Sequence, residues 1–103
     1  MSVTMDFCIF SMSDDSKSEE IAPIIEYLRK KNIKHKLGAM GTSVETDDLK
    51  SALKILNKAN KLINKDRVYL VAKFDIHKSR NDNLKYKVKS VKKRLKEGNS
   101  KEI

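Results

Sequence analysis

Cysteine, proline, glycine and tryptophan are nearly missing from this 103-residue chain, which has one, one, three and none of them. The single cysteine, Cys8, excludes a disulfide framework within the chain. Three glycines cannot build a Walker loop or a dinucleotide fingerprint: Gly38 and Gly41 have neither spacing, and they lie between expected strands with no helix start behind them. Three Tyr and three Phe leave few stacking platforms for nucleic acid, and the strand signature of the RNA-recognition module is absent. No apolar run approaches the roughly 20 residues of a membrane helix. The start, "MSVTMDFCIF", lacks a charged region and a long enough apolar run for a signal peptide, so a cytoplasmic protein is expected.

Acid is also in deficit, and the net charge is +9. Among 23 cations 19 are Lys and four are Arg. Arg is the better residue for phosphate and base recognition. Lys, Asn and Ile are A/T-rich in their codons, so base composition accounts for the charge without a nucleic-acid partner. Lys85, Lys87, Lys89, Lys92, Lys93, Arg94 and Lys96 still make the last expected helix basic. Any affinity from it would be salt-sensitive and unspecific.

What is present is a regular alternation of strand and helix signals. "VTMDFCIFSM" (3–12) suits a central strand, apolar on both faces. Ser16 and Glu19 have capping-box spacing, and Ile21, Ile24, Ile25 and Leu28 make one helical face. Pro23 lacks a donor, so regular helix is expected to start later than the caps, and to end near Asn32. "IKHKLGAM" and "GTSVE" follow as strands, the glycines permitting positive φ or a bulge. Thr46 or Asp47 can cap a second helix whose stripe is Leu49, Ala52, Leu53, Leu56 and Ile63. "RVYLVAKFDIH" alternates Val68, Leu70, Ala72, Phe74 and Ile76 against Tyr69, Val71, Lys73, Asp75 and His77. A helix over about 83–96 and a frayed 98–103 tail complete one domain, 1–97.

This order predicts an α+β, ferredoxin-like β-α-β-β-α-β sandwich with an antiparallel sheet and an added C-terminal helix. Two crossover helices cover only one sheet face. The other carries Cys8, Phe10, Tyr69 and Val71, too apolar to stay bare, so a homodimer or homotetramer through that face is expected. Cys8, His35 and His77 have no metal-ligand spacing, so no metal is expected. Cys8 lies within a strand with no base beside it, and no enzyme activity is expected. In the hairpin, strand alternation puts Ser43 and Glu45 on the open face, toward Cys8, Tyr69 and Asp75, if Val44 is the core residue.

"GAMGTSVETDDL", "DRVYLVAKFDIHKSRND" and "KVKSVKKRL" together resemble the small thiamine-binding protein family. Met40-Gly41-Thr42 stand in the family order, Asp66-Arg67-Val68-Tyr69 match in full, and Lys87 to Lys92 match closely. "FSMSDDS" departs from the family's proline- and glycine-bearing segment after the first strand. The resemblance implies a ferredoxin-like fold, binding of thiamine or its hydroxymethylpyrimidine half without chemistry or cofactor, and subunits paired through their sheets. First-choice ligand residues are Met40, Gly41, Thr42, Ser43 and Glu45, followed by Ser11 and Asp75. A ligand-free interaction module, or a weak nucleic-acid binder using the basic helix, is the alternative. No membrane partner is expected.

Overall fold

The structure, a computed structural model, describes residues 1–13, 16–79, 88–89 and 91–95. The elements run β1 (Ser2–Ser11), α1 (Lys17–Lys30), β2 (His35–Leu37), β3 (Thr42–Thr46), α2 (Leu49–Leu62) and β4 (Val68–His77). The sheet is antiparallel in the order β2-β3-β1-β4. This is the expected ferredoxin-like architecture. Residues 88–89 and 91–95 are helical, as expected for the last helix; the rest of that helix and the 98–103 tail lie outside the described residues.

Alternation along β1 decides what the core contains. Val3, Met5, Phe7 and Ile9 point toward the helices and are buried. They meet Ile24, Ile25 and Leu28 of α1, Val44 of β3, and Ala52, Ile55 and Ala59 of α2. Each large side chain buried in this way contributes about 1.5–3 kcal/mol. Thr4, Asp6, Cys8 and Phe10 take the opposite, open face.

Helix ends explain where sequence signals were misplaced. Ser16 is the N-cap of α1, but its hydroxyl makes no cap bond and instead meets the Ser18 hydroxyl at 2.9 Å. The expected capping box is therefore not formed. Pro23 sits inside α1 rather than before it. It and Glu19, whose carbonyl loses the i→i+4 partner, are both exposed, so water can take the missing bond. The C-terminus is a Schellman motif: Asn32 adopts φ 57°, its N–H donates to the Arg29 carbonyl, and the Ile33 N–H donates to the Leu28 carbonyl.

At α2 the cap is Asp48, not Thr46 or Asp47. Its carboxylate accepts from the Ser51 N–H at 2.7 Å, while the Thr46 hydroxyl donates to the Asp48 carbonyl. That backbone bond chiefly, with help from the Ser51 side chain, holds the Asp48 carboxyl below its usual 3.8. The buried stripe of α2 is Ala52, Ile55 and Ala59, continued by the buried C-cap residue Ile63; Leu49 and Leu53, expected in it, are exposed. Contacts run from α2 to β1 and β3, so the flank carrying those leucines extends past the layer it covers.

Neither glycine of the hairpin has positive φ. Gly41 is needed for close approach instead: a Cβ there would lie 2.9 Å from the Phe7 carbonyl oxygen and 3.3 Å from Asp6 Oδ1. The turn closes with the Gly38 N–H donating to the Gly41 carbonyl at 2.8 Å.

Candidate functional site

The site arises from unequal strand lengths. β1 runs from Ser2 to Ser11, but its register with β3 stops at the pair Phe7–Thr42. Beyond that point the chain of β3 has turned away into the hairpin. Backbone direction follows from one bond. The Met12 N–H donates to the Arg67 carbonyl on the β4 side, so the amides and carbonyls of Phe7, Ile9 and Ser11 point the other way, toward β3. Phe7 is still paired there. At Ser11 the edge is capped by α1: Glu20 accepts the Ser11 N–H at 2.9 Å, and Lys17 Nζ donates to the Ser11 and Ser13 carbonyls at 2.6 and 3.1 Å. Lys17 also lies 3.8 Å from Glu20 and 5.7 Å from the Phe10 ring centre.

Between these two ends stands Ile9, whose N–H and C=O face a gap with no backbone partner among the described residues. A cleft of about 260 Å³ fills the gap. Its floor is β1 from Phe7 to Phe10, its walls are Lys17 and Ile21 on one side and the 37–42 hairpin on the other. A second hollow of about 690 Å³ continues it between α1 and the hairpin. Because Phe7 and Ile9 face the helices while Cys8 and Phe10 face outward, the cleft crosses the sheet from one face to the other.

The expected ligand residues fall into separate places. Met40, Gly41 and Thr42 line the cleft; Thr42 is buried and Met40 is 88% exposed at the hairpin tip. Ser43 is on the open face, its hydroxyl donating to Asp6 Oδ1 at 3.4 Å. Glu45 shares that face but pairs across from Thr4, with Asp75 on the other side of Thr4. Thr4 and Cys8 are four strand positions apart, or about 13 Å, and neither Glu45 nor Asp75 lines the cleft. Glu45 is paired with Lys34 at 3.2 Å, its side chain only 7% exposed. Ser11 is buried at the end of β1, its hydroxyl 2.6 Å from that of Ser13.

Sequence reasoning missed Ile9, Lys17, Phe10 as a cleft residue, and Asp6. The Ile9 contribution is backbone and leaves no compositional mark. Asp6, a charge in an apolar strand beside the Gly41 turn, was a usable signal. The expected oligomer face lies together: Phe10 stacks on Tyr69 at 5.5 Å and 28°, Cys8 pairs with Val71, and Tyr69 and Val71 are 54% and 46% exposed.

The family model described as "Thiamine-binding protein" matches residues 5–92, spanning the cleft and all of the sheet except the first residues of β1. The chain belongs to the thiamine-binding protein family. A UPF0045 protein of Methanothermobacter thermautotrophicus is 31% identical over 83 residues, covering 78% of this chain and 84% of that one. A crystal structure of a hypothetical protein from Methanocaldococcus jannascii has a TM-score of 0.76 at 29% identity, covering 88% of this chain and 96% of the other. A Thermotoga maritima structure, described as a candidate thiamine biosynthesis/salvage protein, has a TM-score of 0.73 at 18% identity over 87% of this chain and 99% of its own, a likeness of fold. In this family member no described helix is long and apolar enough to cross a membrane.

Proposed function

We propose that the chain is a non-enzymatic, cytoplasmic binder of thiamine or its hydroxymethylpyrimidine half, held in the cleft beside Ile9, and that it assembles through its open sheet face. The observation that carries this reading is the missing rung at Ile9. A strand residue presents its N–H and C=O side by side. An aminopyrimidine presents an exocyclic N–H beside a ring-nitrogen acceptor. The two edges are complementary, and the ring would take the place that a residue of β3 would occupy in a longer sheet.

The rest of the cleft fits a flat, mostly apolar ring. Phe7, Ile21 and Leu37 supply apolar walls, and Phe10 supplies an aromatic surface at the mouth. Asp6, beside Gly41 on the open face, is the acid positioned to face a thiazolium cation at that mouth. It takes the part first given to Glu45 and Asp75. Among the described residues, the titratable side chains that line the cleft are Cys8 and Lys17.

The test is a thermal shift with thiamine, hydroxymethylpyrimidine and thiamine phosphates measured separately. At a free ligand concentration near 100 Kd one site adds about 2.7 kcal/mol, which raises the midpoint of a domain this size by roughly ten degrees or more. A shift with the pyrimidine alone would place recognition at the Ile9 edge. No shift with any of them at millimolar concentration would leave an interaction module built on the open face.

A further inference from the structure

The open rung at Ile9 is directional. Along an extended strand a residue's N–H precedes its C=O. At Ile9 the N–H therefore stands on the Phe7 side and the C=O on the Ser11 side, both facing the cleft. The two ends of the gap differ as well. At the Phe7 end lies the hairpin, where Gly41 presses on the Phe7 carbonyl and Thr42 pairs with Phe7. At the Ser11 end lies Lys17. Its ammonium donates to the Ser11 and Ser13 carbonyls, and its half-exposed side chain forms the cleft wall. Glu20 stands behind it, buried and 3.8 Å away, and occupies the Ser11 N–H.

We infer that the cleft takes an aminopyrimidine in one orientation, with its 2-methyl group toward Gly41 and Thr42 and its 5-hydroxymethyl arm on Lys17, and that Lys17 thereby selects the free hydroxymethylpyrimidine over thiamine. This rests on the reading that the ring pairs with Ile9. The exocyclic amino group must donate to the Ile9 carbonyl, and the adjacent ring nitrogen must accept from the Ile9 N–H. Turning the ring over sets donor against donor and acceptor against acceptor. In the ring, the carbon bearing the arm adjoins the carbon bearing the amino group, while the methyl-bearing carbon adjoins the acceptor nitrogen. The arm therefore projects along β1 toward Ser11, and the methyl group projects the opposite way. Ile9 and Ser11 are two strand positions apart, or about 7 Å, so the end of the arm arrives at Lys17. In the free pyrimidine the arm ends in a hydroxyl. That oxygen can accept the ammonium proton left over from the bonds to Ser11 and Ser13. In thiamine the arm carries the thiazolium, and a cation is driven against a cation. Asp6 gives no relief in this orientation, because it lies at the other end of the gap, beside Gly41. Thiamine can satisfy Asp6 or the Ile9 rung, not both.

Calorimetric titration of the full chain with hydroxymethylpyrimidine and with thiamine reads the selection. The native chain is expected to bind the pyrimidine about tenfold or more tightly than thiamine. Lys17→Met keeps an aliphatic wall and removes the charge. It is expected to weaken the pyrimidine, tighten thiamine, and bring the two affinities within about twofold of each other. A variant that has only lost stability would weaken both ligands by one factor and keep the native ratio. That result overturns the role of Lys17, as does a native chain that binds thiamine equally well or better. Orientation is read on the native chain, independently of how the variant folds. Nuclear Overhauser contacts from the 2-methyl protons should reach Gly41 and Thr42, and those from the arm methylene should reach Lys17. The reverse pattern overturns the inference and leaves the cleft as the binding site. Binding of neither ligand, or contacts that all lie outside the cleft, overturns the Ile9 reading and the inference with it.

Discussion

Replacing Gly41 by alanine tests the central geometric claim, that the hairpin is pressed against β1 at the point where the cleft begins. The added Cβ would stand 2.9 Å from the Phe7 carbonyl oxygen. Ordinary contact begins near 3.4 Å, so the hairpin must retreat by about half an ångström. The second neighbour, Asp6 Oδ1 at 3.3 Å, is a side chain and can swing away; the Phe7 carbonyl belongs to the central strand and cannot. Overpacking of this kind costs roughly 1–3 kcal/mol. Because Gly41 has no positive φ, alanine also recovers about 0.4–1 kcal/mol by restricting the unfolded chain. The net loss of about 1–2 kcal/mol should lower the midpoint by roughly 5–15 °C in a domain this size. Gly38→Ala is the control, since its Cβ would meet only the Gly41 carbonyl oxygen within the same turn, at 3.2 Å. It should melt within about 3 °C of the native chain. Differential scanning calorimetry of both variants, with and without hydroxymethylpyrimidine, reads stability and ligand together. The Gly41 variant should also show a smaller ligand-induced shift, because the retreating hairpin is one wall of the cleft. A Gly41→Ala protein that melts with the native chain and keeps its full ligand shift would refute both the close approach and the placement of the site.

Three further outcomes follow from named contacts. Asn32→Val puts a β-branched residue at φ 57° and should cost about 1–2 kcal/mol in urea unfolding, whereas Asn32→Gly should be neutral or stabilising. Asp48→Ala should lower the melting point at neutral pH. The folded carboxyl is held below 3.8, so its contribution is complete above that pH and vanishes as pH falls through the folded value; the two melting curves should converge in acid. Tyr69→Glu places a charge beside Phe10 on the open face and should reduce the assembled mass in sedimentation while leaving far-ultraviolet circular dichroism unchanged.

β1 was legible because one of its faces is apolar and buried, and β4 because its apolar residues alternate, although Leu70, Phe74 and Ile76 stay exposed. β1, β4 and the face of α1 follow directly from Phe7, Ile9, Leu70, Phe74, Ile24 and Leu28. Less was legible where several residues are chemically equivalent candidates. Thr46, Asp47 and Asp48 can each cap a helix, and only the direction of the Ser51 N–H selects Asp48. The stripe of α2 was displaced because Leu49 and Leu53 are larger than Ala52 and Ala59, and pattern alone weights size over position; packing against β1 and β3 reverses that weight. The glycines were read for conformational freedom, while what the structure requires at Gly41 is the absence of a Cβ. Glu45 was singled out as an acid near the hairpin, yet the register sets it opposite Thr4, three β1 positions before the cleft begins at Phe7, and Lys34 already pairs with it. Ile9 was invisible as a functional residue, since what it offers is a stretch of backbone that its neighbour is too short to reach.

Cys8 and Phe10 belong at once to the mouth of the cleft and to the apolar open face. An assembly that covers that face would close over the mouth, so occupancy and association would share one free energy. Each would then change the other by the same factor. A ligand entering before the subunits meet would be trapped with a slow exit, while one that requires an open mouth would drive the subunits apart. Apparent affinity would therefore depend on protein concentration, and the sign of that dependence would tell whether the assembled mouth favours or opposes the ligand.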